Sequence, residues 1–144
     1  MQPNIPAATA TLPFAGPTDA SRRLLLYCLR RMGAHGLHDA HAANAMLGTF
    51  GLSYQRPLVM LRAFVAETTR TSHRKIRIAG CCCFRMTLDE ARLIDAITSS
   101  ETDIRNAAIQ LRTVLGTPDS LGALGAAQAV QAAFADLGHP LGLD

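Results

Sequence analysis

From residue 18 onward, apolar positions recur at the spacing of an α-helix through most of the chain. Thr18 or Asp19 can cap a first helix running to about Met32, with Gly33 and Gly36 breaking it. Leu24, Leu25, Tyr27, Cys28 and Leu29 supply its buried face, and Arg22, Arg23, Arg30 and Arg31 are expected to stay wet. Asp39 is the expected cap of a second helix over about 40–50, closed by Gly51. Ser53 to Arg56 enters a third, with Pro57 in its first turn, where a missing N–H costs little. Leu58, Leu61 and Val65 repeat along it, with Phe64 beside them, to about Ser72.

The pattern then changes. Arg74-Lys75-Ile76-Arg77-Ile78 alternates polar and apolar residues, which predicts a short extended basic linker or a strand. A single strand is unstable by itself, so it is expected either to pair with another chain or to be merely extended. Thr87 and Glu90 have capping-box spacing and open a helix to about Thr98. Ser100 with Asp103 starts the next, whose stripe Ile104, Ala108, Leu111, Leu115 is spaced 4, 3 and 4 before Gly116. Thr117-Pro118 is expected to open the last helix, with Leu121, Leu124, Val130, Phe134 and Leu137 inward and Gly138 as its stop.

The expectation is therefore an all-α protein, a compact bundle of five or six helices. Composition agrees: aromatics are 5% and Trp is absent, so the core is built from Leu, Ile, Val and Ala. With 49% hydrophobic and 17% charged residues, disorder of the whole chain is excluded. Four cysteines in 144 residues are too few for a disulfide scaffold. Residues 1–17, with Pro3, Pro6, Pro13 and Pro17, read as a disordered or loosely attached tail ahead of one helical domain over 18–144. The apolar run Leu24 to Leu29 is far short of the about 20 residues that cross a bilayer.

Charge is divided along the chain. Residues 21–85 carry a net +9, residues 86–144 a net −5, and Asp19 brings the total to +3. Such a division suits a polyanionic partner, or two halves that neutralise each other within the chain or across a dimer. Sparse charge on a 15.4 kDa surface also points to self-association as a homo-oligomer.

Two clusters could carry metal or thiol chemistry. Cys81 and Cys83 form a C-x-C pair around Cys82, able to share a thiophilic ion such as zinc. His38 and His41, three apart, would complete a Cys₂His₂ set if the two segments met. The triplet also precedes a helix N-terminus and lies near Arg85, features that lower a thiol pKa and suit a redox sensor. The plainer readings are cysteine as a small apolar filler and His38 and Asp39 as parts of a polar turn. A third cluster is cationic: Arg62, Arg70, Arg74, Lys75 and Arg77, with His73 among them. On one helix Arg62, Arg70 and His73 would fall within about 80° of each other. Contact with nucleic-acid phosphates is conceivable, although base-stacking aromatics and a recognition helix are missing. A charge run is more often a solvated face or a partner for the acidic half.

The string Cys81-Cys82-Cys83-Phe84-Arg85-Met86-Thr87-Leu88-Asp89-Glu90, after His35-Gly36-Leu37-His38-Asp39-Ala40-His41-Ala42-Ala43-Asn44 and Arg56-Pro57-Leu58, resembles a family of short bacterial proteins of unknown function. The resemblance spans most of the chain after the tail and implies no activity, substrate or cofactor. Phosphate loops, dinucleotide fingerprints, nucleophile elbows and zinc-protease motifs are absent. Adjacent cysteines and an N-terminus without an export signal predict a reducing, cytoplasmic setting. The functional expectation is a small binding or regulatory module rather than an enzyme. The alternatives are a thiol or metal sensor and a phosphate-backbone binder.

Overall fold

A computed structural model describes residues 2–3, 14–80 and 83–142. Among them the order is β1 (Gln2–Pro3), β2 (Phe14–Ala15), α1 (Ala20–His35), α2 (Ala40–Phe50), a 3₁₀ turn (Gly51–Ser53), α3 (Gln55–Thr71), β3 (Arg77–Ile78), β4 (Arg85–Met86), α4 (Leu88–Ser99), α5 (Ile104–Leu115) and α6 (Leu121–Asp136). The protein is all-α, with strands of two residues each.

Caps define the helix starts. The Asp19 side chain accepts from Arg22 N–H, Asp39 from Ala42 N–H and Asp103 from Asn106 N–H. At α4 the Thr87 hydroxyl accepts from Glu90 N–H while the Glu90 carboxylate accepts from Thr87 N–H. Helix α1 passes through Gly33, because one glycine inside a packed helix costs only about 1 kcal/mol. It stops at Gly36, whose φ of 103° few other residues adopt. Helix α6 begins later than Thr117-Pro118 predicts: Asp119 N–H bonds the Thr117 hydroxyl in a turn, and Ser120 is the cap.

The most extensive packing is α3 along α6 and α4 along α5, with α1 against α2, α3 and α4. Leu25, Leu29, Leu61, Phe64, Leu93, Ile97, Leu111, Leu115, Val130 and Phe134 are buried together. Each such side chain contributes about 1.5–3 kcal/mol by leaving water. Two positions of the apolar stripes depart from expectation. Ile104 is 51% exposed and Leu121 is 80% exposed, whereas Leu111 and Leu115 are fully buried. Both exposed residues are the first of their helices, beyond the stretch that the neighbouring helix covers.

The extended basic segment pairs within its own chain. Arg77–Ile78 lies parallel to Gln2–Pro3, and Phe14–Ala15 lies antiparallel to Arg85–Met86. Ile76 and Ile78 are buried and Lys75 and Arg77 exposed, so the alternation reports one inward row; it ends at Ala79, which is buried as well. Residues 1 and 4–13 of the tail lie outside the described residues.

Candidate functional site

Arg22 and Arg30 are buried, not wet as expected. They share a row with Leu26 at spacings of four, so their stems run inward with the apolar face. The Arg30 guanidinium finds acceptors there. Its Nε donates to Glu90 Oε2 at 2.7 Å and its Nη2 to Glu90 Oε1 at 3.0 Å. Nη1 donates to the Cys83 carbonyl at 2.7 Å, and Nη2 also to the Arg85 carbonyl at 2.9 Å. Glu90 accepts in addition from Ala79 N–H at 3.1 Å and Thr87 N–H at 2.9 Å. One ion pair thus holds both flanks of the segment that carries the cysteines.

A second carboxylate does similar work beside it. Asp89 accepts from both Nη atoms of Arg74 and from Arg77 N–H, and Arg74 also reaches the Val114 carbonyl. The Thr87 hydroxyl donates to the Arg77 carbonyl at 2.8 Å. Capping alone therefore does not account for Asp89 and Glu90.

Outside this hub lies a cleft of about 490 Å³, lined by Gly16, Pro17, Arg23, Leu26, Tyr27, Arg30, Cys83 and Phe84. Leu26, Pro17 and the exposed Phe84 are the apolar residues on its border. The lining residues with polar side chains are Arg23, Tyr27, Arg30 and Cys83. Among the described residues Arg23 has no carboxylate partner. Of the five N–H groups on Arg30, acceptors among the described residues take four, leaving one on Nη1 without a partner among them. A volume of this size suits a small molecule.

The residues singled out from sequence are distributed elsewhere. His38 lies in the turn between α1 and α2 and His41 in the first turn of α2, both exposed. Asp39, between them, caps α2 and holds Arg31 through two hydrogen bonds of 2.9 and 3.0 Å. Cys81 and Cys82 lie outside the described residues; Cys83, half-buried, donates its N–H to the Gly80 carbonyl. Among the described residues no three His, Cys, Asp or Glu side chains gather as metal ligands. The remaining cysteine, Cys28, is fully buried; its thiol donates to the Ala42 carbonyl, and burial pushes its pKa up to about 12. It is an apolar filler.

The cationic run is divided among separate tasks. Arg62 Nε donates to the Leu37 carbonyl, Arg70 pairs with Glu67, and Arg74 with Asp89. Helix α3 ends at Thr71, so His73 leaves the stripe, its N–H bonded to the Leu115 carbonyl. Lys75 and the Arg77 side chain remain exposed. Charge is neutralised across the two halves within the chain: Arg30–Glu90, Arg56–Asp136 and Arg74–Asp89 each join a basic-half cation to an acidic-half carboxylate.

A family model, described as a family of unknown function (DUF6628), matches residues 5–133. The chain belongs to this family. No curated protein and no solved structure matches it. The matched stretch contains every residue of this chain's cleft and its supporting hub. Among the described residues no helix is long and apolar enough to cross a membrane. Sequence reasoning passed over Arg23, Tyr27 and the Arg30–Glu90 pair. The available signal was the row 22, 26, 30, which places two arginines in line with a buried leucine.

Proposed function

We propose that this protein is a small non-catalytic binding module whose ligand is a compact anion with an apolar or aromatic body, taken into the cleft beside Cys83. The observation that carries the reading is the pairing of the Arg23 guanidinium with apolar walls in one concavity of about 490 Å³. The cation favours a carboxylate or phosphate; Leu26, Pro17 and Phe84 favour the body behind it. The Tyr27 hydroxyl and the remaining Arg30 N–H supply orientation. Binding is regulatory in consequence, because the ligand would sit on the segment that Arg30 and Glu90 hold in place.

The test is a thermal-shift and titration series of aromatic carboxylates against their neutral amides. Carboxylates are expected to stabilise the protein and amides to do so at least about tenfold more weakly. Arg23→Ala is expected to erase the difference. Equal binding of acid and amide, or no binding by either, sinks the reading. A second reading, Cys83 as a thiol open to modification, is favoured by its half-buried place in the cleft wall, in contrast to Cys28. Free thiols of this kind fit a reducing, cytoplasmic setting.

A further inference from the structure

The outer face of α4 and α5 carries a feature that folding leaves unused. Leu88, Ala91, Arg92 and Asp95 share one side of α4, away from Glu90, Leu93, Ile94 and Ile97, which face inward. With Phe14, Ile109 and Thr113 they border a groove of about 420 Å³. Leu88 is 42% exposed, Ile109 48% and Phe14 37%, so the groove is rimmed by apolar area in contact with water.

The charges on the strip identify its occupant. Arg92 and Asp95 lie three residues apart on this face and form no ion pair with each other. Asp95 Oδ2 accepts from Asn106 Nδ2 at 2.8 Å, and among the described residues its Oδ1 accepts nothing. Arg92 likewise has no carboxylate partner among them. A strip bearing one cation and one anion side by side is complementary to itself after a half-turn: Arg92 of each copy meets Asp95 of the other. A foreign partner would need a matching anion and cation in the reverse order, whereas a second copy brings them by symmetry.

We propose that the α4–α5 face is the interface of a two-fold homodimer, with Leu88, Ile109 and Phe14 as its apolar contacts and Arg92–Asp95 as its reciprocal ion pairs. This is independent of the ligand cleft, which lies against α1. The experiment is sedimentation equilibrium of the full chain at micromolar concentration. The expected mass is twice that of one chain. Ile109→Glu and Arg92→Asp alter side chains without an internal partner, so helical circular dichroism should be retained while the dimer dissociation constant rises at least about tenfold. The charge swap Arg92→Asp with Asp95→Arg should return the dimer, which a merely structural role of either residue would not do. A monomeric wild type overturns the proposal, as does an oligomer indifferent to Ile109→Glu and Arg92→Asp. A monomer that binds a different protein through this face would overturn it as well.

Discussion

Arg30 and Glu90, sixty residues apart, meet inside the protein with Nε and Oε2 separated by 2.7 Å. The pair also satisfies the N–H groups of Ala79 and Thr87 and the carbonyls of Cys83 and Arg85. Removing either partner therefore strands a buried charge and several backbone groups. Glu90→Ala or Arg30→Ala is expected to cost about 3–5 kcal/mol, read as a shift in urea midpoint at unchanged slope. Replacing both by apolar residues should not recover the wild-type value, because four backbone groups lose their partners together. A double variant as stable as wild type would show that the pair does not organise the cysteine segment.

Much of the architecture was legible in the sequence because it is written in local terms. The stripe of Leu111 and Leu115, the Thr87–Glu90 box and the Asp39 cap each need fewer than eight residues of context, and each is found. The hub was not legible, because it depends on contacts between distant segments. Nothing near Arg30 in the chain announces Glu90, and a capping glutamate looks complete without a second partner. The strand pairings were hidden for the same reason: Arg77–Ile78 alternates correctly, but its partner is Gln2–Pro3, across the whole of α1 to α3. The end-of-helix residues Ile104 and Leu121 mislead in the other direction, since periodicity continues past the point where a neighbour covers it.

Asp39 gives a pH signature. The two-pronged hydrogen bond from Arg31, aided by Ala42 N–H, holds its carboxyl at about 2, below the ordinary 3.8. A lowered folded-state pKa stabilises the protein above the unfolded value and is lost as pH falls toward the folded one. Asp39→Asn retains the cap, since Asn caps as well as Asp, but loses the ionic part. The wild type should exceed this variant in stability by a constant margin well above the ordinary carboxyl value of 3.8, and the margin should shrink as pH falls from there and vanish only below about 2. Denaturant melts across this range provide the measurement. A margin unchanged at the acid end would rule out the Arg31 pairing as its source.

The two described cysteines should differ sharply toward iodoacetamide. Cys28, buried and with its pKa near 12, presents almost no thiolate and no access. It should be alkylated only as fast as the protein opens. Cys83, half-buried in the cleft wall, should be modified in the native state, and more slowly when an anionic ligand fills the cleft. Peptide mapping by mass spectrometry separates the sites. Modification of Cys28 at the same rate as Cys83 in native buffer would contradict the burial, and absence of ligand protection at Cys83 would detach that thiol from the cleft.

Two glycines test how the cleft is built. A Cβ at Gly16 would lie 2.3 Å from the Phe84 carbonyl oxygen, which is backbone next to β4 and cannot turn aside. A Cβ at Gly122 would meet Glu67 Oε1 at the same 2.3 Å, but that atom ends a flexible side chain held by an exposed Arg70. Gly122→Ala gains helix propensity of about 1 kcal/mol to set against moving one carboxylate, so its net change should be small. Gly16→Ala must instead part residues 14–16 from 84–86, where Phe14 pairs with Met86 and Ala15 with Arg85. It is expected to lose about 1–3 kcal/mol, to raise the alkylation rate of Cys83 and to weaken anion binding in the cleft, all without loss of helix content. Equal effects of the two substitutions would mean that the close approach of Gly16 to Phe84 does not shape the cleft.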